Sequence, residues 1–177
     1  MKKADRAALR TLESHDALSA PVDVEALARA LGAEVRRQPF DGNVSGMLLR
    51  DGRRVLIGLN KSHSERRQRF SIAHELGHLV LHRGKPLFVD HTVRVNLRDN
   101  RSATGTEEEE IEANAFAAQL LMPEPLVRSE VEKARDRMGG PLTDEQLMDA
   151  LAAQFNVSPQ AMGFRLINLG IIDPAGA

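Results

Sequence analysis

At 177 residues, 42% hydrophobic and 28% charged, the chain has the size and balance of one globular domain with its own core and at most a small appendage. Its net charge of −1 gives no global electrostatic case for nucleic-acid or membrane-surface binding. It contains no cysteine, which excludes disulfides and thiolate metal ligands and leaves His and carboxylate as the donors for any zinc.

The N-terminus starts basic, with Lys2 and Lys3, but no apolar signal-peptide core follows. No apolar run approaches the roughly 20 residues of a membrane-spanning helix, so the sequence predicts a cytoplasmic protein. Residues 3–15 read as a peripheral helix with Ala7, Leu9 and Leu12 as its main apolar positions. Pro21 breaks that pattern. Asp23 then suits the N-cap of a short helix, Val24 to Leu31, with Gly32 just past its end. Strand chemistry follows: Ala33–Phe40, a turn at Asp41-Gly42-Asn43, then Val44–Arg50 and Arg54–Leu59 flanking the hairpin signal Asp51-Gly52. These segments predict a small antiparallel sheet of about three strands, a scaffold with an edge on which an extended peptide can pair.

Ser62-x-x-Glu65 reads as a capping box opening a helix from about His63 to Leu81. Apolar residues surround much of its circumference (Phe70, Ala73, Leu76, Val80, Leu81), as expected of a helix at the centre of a domain. Gly77 costs this helix about 1 kcal/mol relative to Ala, so a close approach by a neighbouring backbone or by substrate is expected there. Arg66, Arg67 and Arg69 read as a solvated helix start. The helix also carries H-E-x-x-H, as His74, Glu75 and His78. Residues four apart on a helix share a face, so His74 and His78 aim two imidazole nitrogens at one point. Glu75 is rotated by about 100° from His74. Its carboxylate can reach a water on the metal without taking a ligand position, the placement of a general base in a zinc hydrolase.

Residues 83–105 lack helical periodicity, with a strand expected over Thr92–Leu97 and a long loop that reads equally as a substrate-facing lid or as ordinary surface. Thr106-x-x-Glu109 is a second capping box, opening a helix to Leu121 or Met122. Leu126–Met138 is a further helix, and Gly139-Gly140-Pro141 is the clearest break. Thr143 caps a helix through Phe155, and Ser158 opens a last one to about Leu169. The expected organisation is a core over 1–140 and a helical extension over 141–177.

A catalytic zinc needs three protein ligands and an open position. The candidates for the third are His82, His91 and the carboxylates of Glu107–Glu112. His82 continues the straight line of His74 and His78 up one helix, and three such residues cannot converge on a tetrahedral ion, so it reads as a supporting or cleft-lining residue. On the second helix the apolar face is set by Ala113, Phe116, Ala117, Leu120 and Leu121. Helical phase places Glu112 on a solvated face and leaves Glu110 favoured over Glu112 as ligand. Asn114, one turn beyond Glu110, can orient a ligating histidine. The chain has no tyrosine to stabilise an oxyanion, and His82, His91 and Arg94 are the candidates for that role.

The segments Arg67-Gln68-Arg69-Phe70-Ser71-Ile72-Ala73-His74-Glu75-Leu76-Gly77-His78 and Glu110-Ile111-Glu112-Ala113-Asn114-Ala115-Phe116-Ala117-Ala118, with Leu120-Leu121-Met122-Pro123 behind them, together resemble the ImmA/IrrE family of bacterial metallopeptidases. The likeness runs more loosely from Val22 to Gly170. It implies an α+β, thermolysin-like zincin core: the small sheet packed on the H-E-x-x-H helix, with a mostly helical C-terminal half. It implies one Zn2+ per chain, with Mn2+ as the alternative metal, held by His74, His78 and Glu110, and Glu75 as the catalytic base. It also implies a substrate class, helix-turn-helix repressors of mobile elements or stress-response genes, which are cleaved to derepress transcription. The alternative is a metal-stabilised regulator, or toxin–antitoxin partner, that binds a repressor without cutting it. Residues 142–170 mimic a DNA-reading helix-turn-helix. They hold one basic residue, Arg165, against Asp144, Glu145 and Asp149, so direct nucleic-acid binding is not expected.

Overall fold

A computed structural model of the chain describes residues 2–40, 44–82, 84, 86–91, 105–138 and 142–173. Local capping chemistry sets most of the helix starts. Helix α1 spans Lys3–Ser14 and α2 spans Val24–Ala30, with the Asp23 carboxylate accepting from the Ala26 N–H at 2.9 Å and Gly32 at φ +79° behind it. Strands β1 (Ala33–Gln38), β2 (Val44–Asp51) and β3 (Arg54–Asn60) follow, the last two joined at Asp51-Gly52 as the turn signal requires. Helix α3 is Glu65–Leu81, β4 is Leu87–His91 and α4 is Gly105–Leu121. Helices α5 (Glu124–Met138), α6 (Asp144–Phe155) and α7 (Pro159–Asn168) complete the chain, with Thr143 and Ser158 capping the last two as predicted.

The architecture is the expected α+β one, and the sheet differs in detail. It has four strands in the order β1-β3-β2-β4, and β1 runs parallel to β3 rather than forming an antiparallel neighbour of β2. Period-two patterning identifies strands but not their partners. The apolar inner residues Leu48, Ile57 and Leu59 belong to β2 and β3, which take the centre. The polar β1, with Glu34, Arg36 and Arg37 exposed, takes an edge. The fourth strand is β4, antiparallel to β2, with Phe88 facing inward and Leu87 outward. The strand expected over Thr92–Leu97 lies outside the described residues, as do the turn at 41–43 and the break at 139–141.

Two helix starts shift. The N-cap of α3 is Ser64, not Ser62, because Asn60 Oδ1 accepts from both the backbone N–H and the hydroxyl of Ser62 and holds it in the preceding turn. Helix α4 begins at Gly105, so Thr106 falls inside the first turn. The arginines are not simply solvated either. Arg67 donates to Ser45 Oγ of β2 at 2.8 Å, and Arg69 donates to the Val22 carbonyl at 2.9 Å, tying α3 to the sheet and to the entry of α2. Helix α1 buries Ala4, Ala8 and Leu12 against α4 and α3, so this face joins the core instead of lying at the periphery.

Helix α3 packs on the sheet with one side and on α4 with the other, and Ser71 through His78 are all buried. The α3–α4 crossing is close because of Gly77. A Cβ there would lie 3.0 Å from Ala113 Cα and 3.1 Å from its carbonyl oxygen. The neighbouring backbone is therefore what the glycine accommodates. In the C-terminal half, Arg165 of α7 is buried, donating to the Met122 carbonyl at 3.0 Å and to Gln119. The one basic residue of the helix-turn-helix-like segment thus anchors α7 to the end of α4. No helix among the described residues is long and apolar enough to cross a membrane.

Candidate metal centre

Burying histidines and a carboxylate in the middle of a domain is costly unless they are paired or bind a metal. In α3 the buried polar positions are Ser71, His74, Glu75 and His78. The i, i+4 spacing brings His74 Nε2 and His78 Nε2 to 3.0 Å of each other. The close crossing at Gly77 delivers α4 to the same point. Glu110 Oε2 lies 3.1 Å from His74 Nε2, and Glu110 Oε1 lies 3.2 Å from His78 Nε2. These three residues form the one metal-ligand cluster among the described residues.

The donor set fits a divalent ion. With bonds of about 2.0–2.1 Å, tetrahedral donors stand about 3.3 Å apart, close to the three separations found. Two imidazoles and one carboxylate leave a fourth position open, as catalytic sites do. The protonation states agree. Burial holds the His78 pKa below its ordinary value, outweighing the Glu110 hydrogen bond that raises it, so the ring is neutral at pH 7. In the metal-free chain burial alone would raise the Glu110 pKa, but hydrogen bonds with His74 and His78 bring it down to about 2.

Each of the two imidazoles is held from behind. Asn114 Oδ1 of α4 lies 3.1 Å from His74 Nδ1, the position helical phase gave it relative to Glu110. His82 Nδ1 lies 3.0 Å from His78 Nδ1, and His82 Nε2 lies 3.0 Å from Glu112 Oε2. Both His82 nitrogens are thereby committed, which removes it as an oxyanion donor. Glu112 is not on a merely solvated face: it meets His82 on one side and Lys3 Nζ of α1, at 3.2 and 3.3 Å, on the other. Of the other sequence candidates, His91 has its backbone in β4 with its side chain outside the described residues, and Arg94 lies outside them altogether.

Glu75 is fully buried on the sheet-facing flank of the centre. Gly46 of β2 gives its carboxylate room: a Cβ at Gly46 would stand 3.1 Å from Glu75 Oε1 and 3.5 Å from Ser71 Cβ. Sequence reasoning did not find Gly46, nor two other neighbours of the site. The Phe88 ring stacks on the His78 imidazole, with centroids 4.2 Å apart and planes at 26°. Arg50 donates to the His78 carbonyl at 2.9 Å and sits 5.6 Å from the Phe88 centroid. Burial lowers the Arg50 pKa, while the charge of Glu75 acts to raise it. The inward phase of Phe88 in a short apolar run was the available signal for that contact.

The comparisons with known proteins fit this geometry. Residues 28–167 match the model of a peptidase family described as the IrrE N-terminal-like domain. Among solved structures, the chain is similar to a Mycobacterium tuberculosis transcriptional regulator, with a TM-score of 0.61 and 18% sequence identity. That similarity covers 100% of this chain and 50% of the other, so the chain spans about half the length of that protein, and at this identity the likeness shows the fold. A search of curated proteins gives no significant match.

Proposed function

The chain belongs to the peptidase family of the IrrE N-terminal-like domain, and on that premise we propose that it is a zinc-dependent endopeptidase that cleaves a helix-turn-helix transcriptional repressor in the cytoplasm. The observation that carries the reading is the convergence of His74, His78 and Glu110 beside a fully buried Glu75. A donor set of two imidazoles and one carboxylate with an open position favours zinc, and manganese is the alternative. When bound, zinc supplies Lewis acidity toward water and the scissile carbonyl.

The chain's own residues do the rest. Glu75 accepts a proton from the attacking water and passes it to the leaving amine, work that needs an ionised carboxylate beside the ion but not on it. Gly46, having no Cβ, leaves that carboxylate its room against β2. Asn114 and His82 keep the rings of His74 and His78 turned toward the centre. A protein that only sequestered its partner has no use for a buried base at this position, which favours cleavage over binding alone. The repressor as substrate rests on the family, and the transcriptional role in the name of the similar Mycobacterium protein supports it.

The test is co-incubation of the zinc-loaded chain with the helix-turn-helix repressor encoded nearest to it, read by intact mass. Two fragments whose masses sum to that of the repressor plus one water are expected. Release of the repressor from its DNA at unchanged mass would refute cleavage and establish the binding role.

A further inference from the structure

Hydrogen bonds run without a break away from His78, through His82 and Glu112 to Lys3 on α1. Both histidines are buried, and Glu112 is half-buried between them and the surface. The direction of every proton along this line follows from one condition. A metal takes the lone pair of His78 Nε2, so the neutral ring carries its proton on Nδ1. That N–H faces His82 Nδ1 at 3.0 Å, which must therefore accept. A neutral His82 that accepts at Nδ1 holds its own proton on Nε2, and that N–H points at Glu112 Oε2 at 3.0 Å. A carboxylate can only accept, so it closes the line. Each donor meets one acceptor. Reversing any link sets two N–H groups against each other or places a hydrogen on His78 Nε2, where the ion must bind.

We infer that His82 and Glu112 are positioning residues that hold His78 in its metal-binding tautomer, with Lys3 steadying the Glu112 carboxylate, an inference that rests on the metallopeptidase reading above. Helix α4 then orients both ligating histidines: His74 directly, through Asn114, and His78 at one remove, through His82. The same helix supplies Glu110 itself. Docking of α4 on α3 therefore assembles the ligands and sets their proton positions together. The Lys3 contact is exposed and contributes little by itself.

Zinc affinity by chelator competition tests this, beside nitrogen-15 spectra of the imidazoles in the zinc-loaded wild-type chain. The spectra are expected to show His78 protonated on Nδ1 and His82 on Nε2. His82→Phe and Glu112→Leu should each lower zinc affinity about 10- to 100-fold, the usual cost of losing the partner of a ligating histidine. Glu112→Gln keeps an acceptor oxygen and should restore affinity to within about fivefold of wild type, as should Lys3→Met, the scale of an exposed ion pair. Metal-free thermal unfolding of each variant separates a ligand effect from loss of the fold. If His82→Phe does not fold, the Glu112 pair and the wild-type spectra decide. The inference is overturned if His82 carries its proton on Nδ1 in the zinc-loaded protein, or if folded Glu112→Leu binds zinc as wild type does. A wild-type chain that binds no zinc defeats instead the metallopeptidase reading beneath it.

Discussion

Replacing Gly77 with alanine tests whether the metal centre depends on the closeness of α3 and α4. Two local effects oppose each other. Alanine is better than glycine in a helix interior by about 1 kcal/mol. The new methyl, however, would lie 3.0 Å from Ala113 Cα, 3.1 Å from its carbonyl oxygen and 3.3 Å from its Cβ. Favourable carbon contacts begin at about 3.5 Å, so α4 must give by a few tenths of an ångström, and these are backbone-anchored atoms that cannot rotate away. Overpacking of this kind costs about 1–3 kcal/mol, which cancels or exceeds the propensity gain. The net change in stability is therefore small, between about zero and 2 kcal/mol of loss. The ligand set should suffer as well. Glu110 stands one turn from Ala113 and meets the two histidines at 3.1 and 3.2 Å, and sites of this kind tolerate about 0.5 Å of misplacement. A shift of a few tenths of an ångström uses up much of that tolerance, and zinc affinity is expected to fall by up to about tenfold, the lower end of the scale seen when a ligand loses its support. Thermal unfolding of the metal-free protein and chelator competition measure the two quantities. A Gly77→Ala protein that is more stable than wild type and binds zinc as tightly would refute the argument that this crossing builds the centre.

Other changes should separate chemistry from scaffold. Gly46→Ala brings a methyl to 3.1 Å from Glu75 Oε1, so turnover should fall while zinc content stays at one per chain, read by metal analysis and peptide-bond cleavage on one preparation. The metal-free chain should lose stability as the solution is acidified. The folded His78 pKa lies below its ordinary 6.5, so the unfolded chain binds more protons, and the contribution of His78 is full above pH 6.5 and declines below it. Glu110, lowered from 4.5 to about 2, holds its contribution above 4.5 and loses it as pH falls through about 2. Urea midpoints that are flat from pH 7 to pH 2 would contradict both signs. Arg165→Met should destabilise the fold by roughly 2–4 kcal/mol, since charge-assisted bonds to the Met122 carbonyl and Gln119 are lost and both groups stay buried. Zinc affinity of the refolded variant should not change.

What the sequence carried and what it hid divide along a physical line. His74, Glu75 and His78 were legible because their relation is fixed by helix geometry within four residues. Glu110 and Asn114 were legible because phase on a helix with a clear apolar face says which side reaches inward. Asp23, Thr143 and Ser158 cap as expected because a cap is a local bond. Phase failed for Glu112, whereas the supporting role read for His82 agrees with its contact to His78 although its geometry differs. His82 sits past the last helical residue, at φ −116° and ψ 78°, so it does not extend the line of the two ligands but turns back to pair with Glu112. The parallel pairing of β1 with β3 and the room that Gly46 leaves for Glu75 join residues far apart in the chain. No local pattern encodes such contacts.

Paired measurement of zinc content and turnover in Glu75→Gln tests the account most directly. The variant should keep one zinc per chain, because Glu75 is not a ligand, and lose cleavage by about 10²- to 10⁴-fold, the worth of a positioned general base. A variant that cleaves at the wild-type rate, or one that loses its zinc, would contradict the separation of base from ligands on which the proposed chemistry stands.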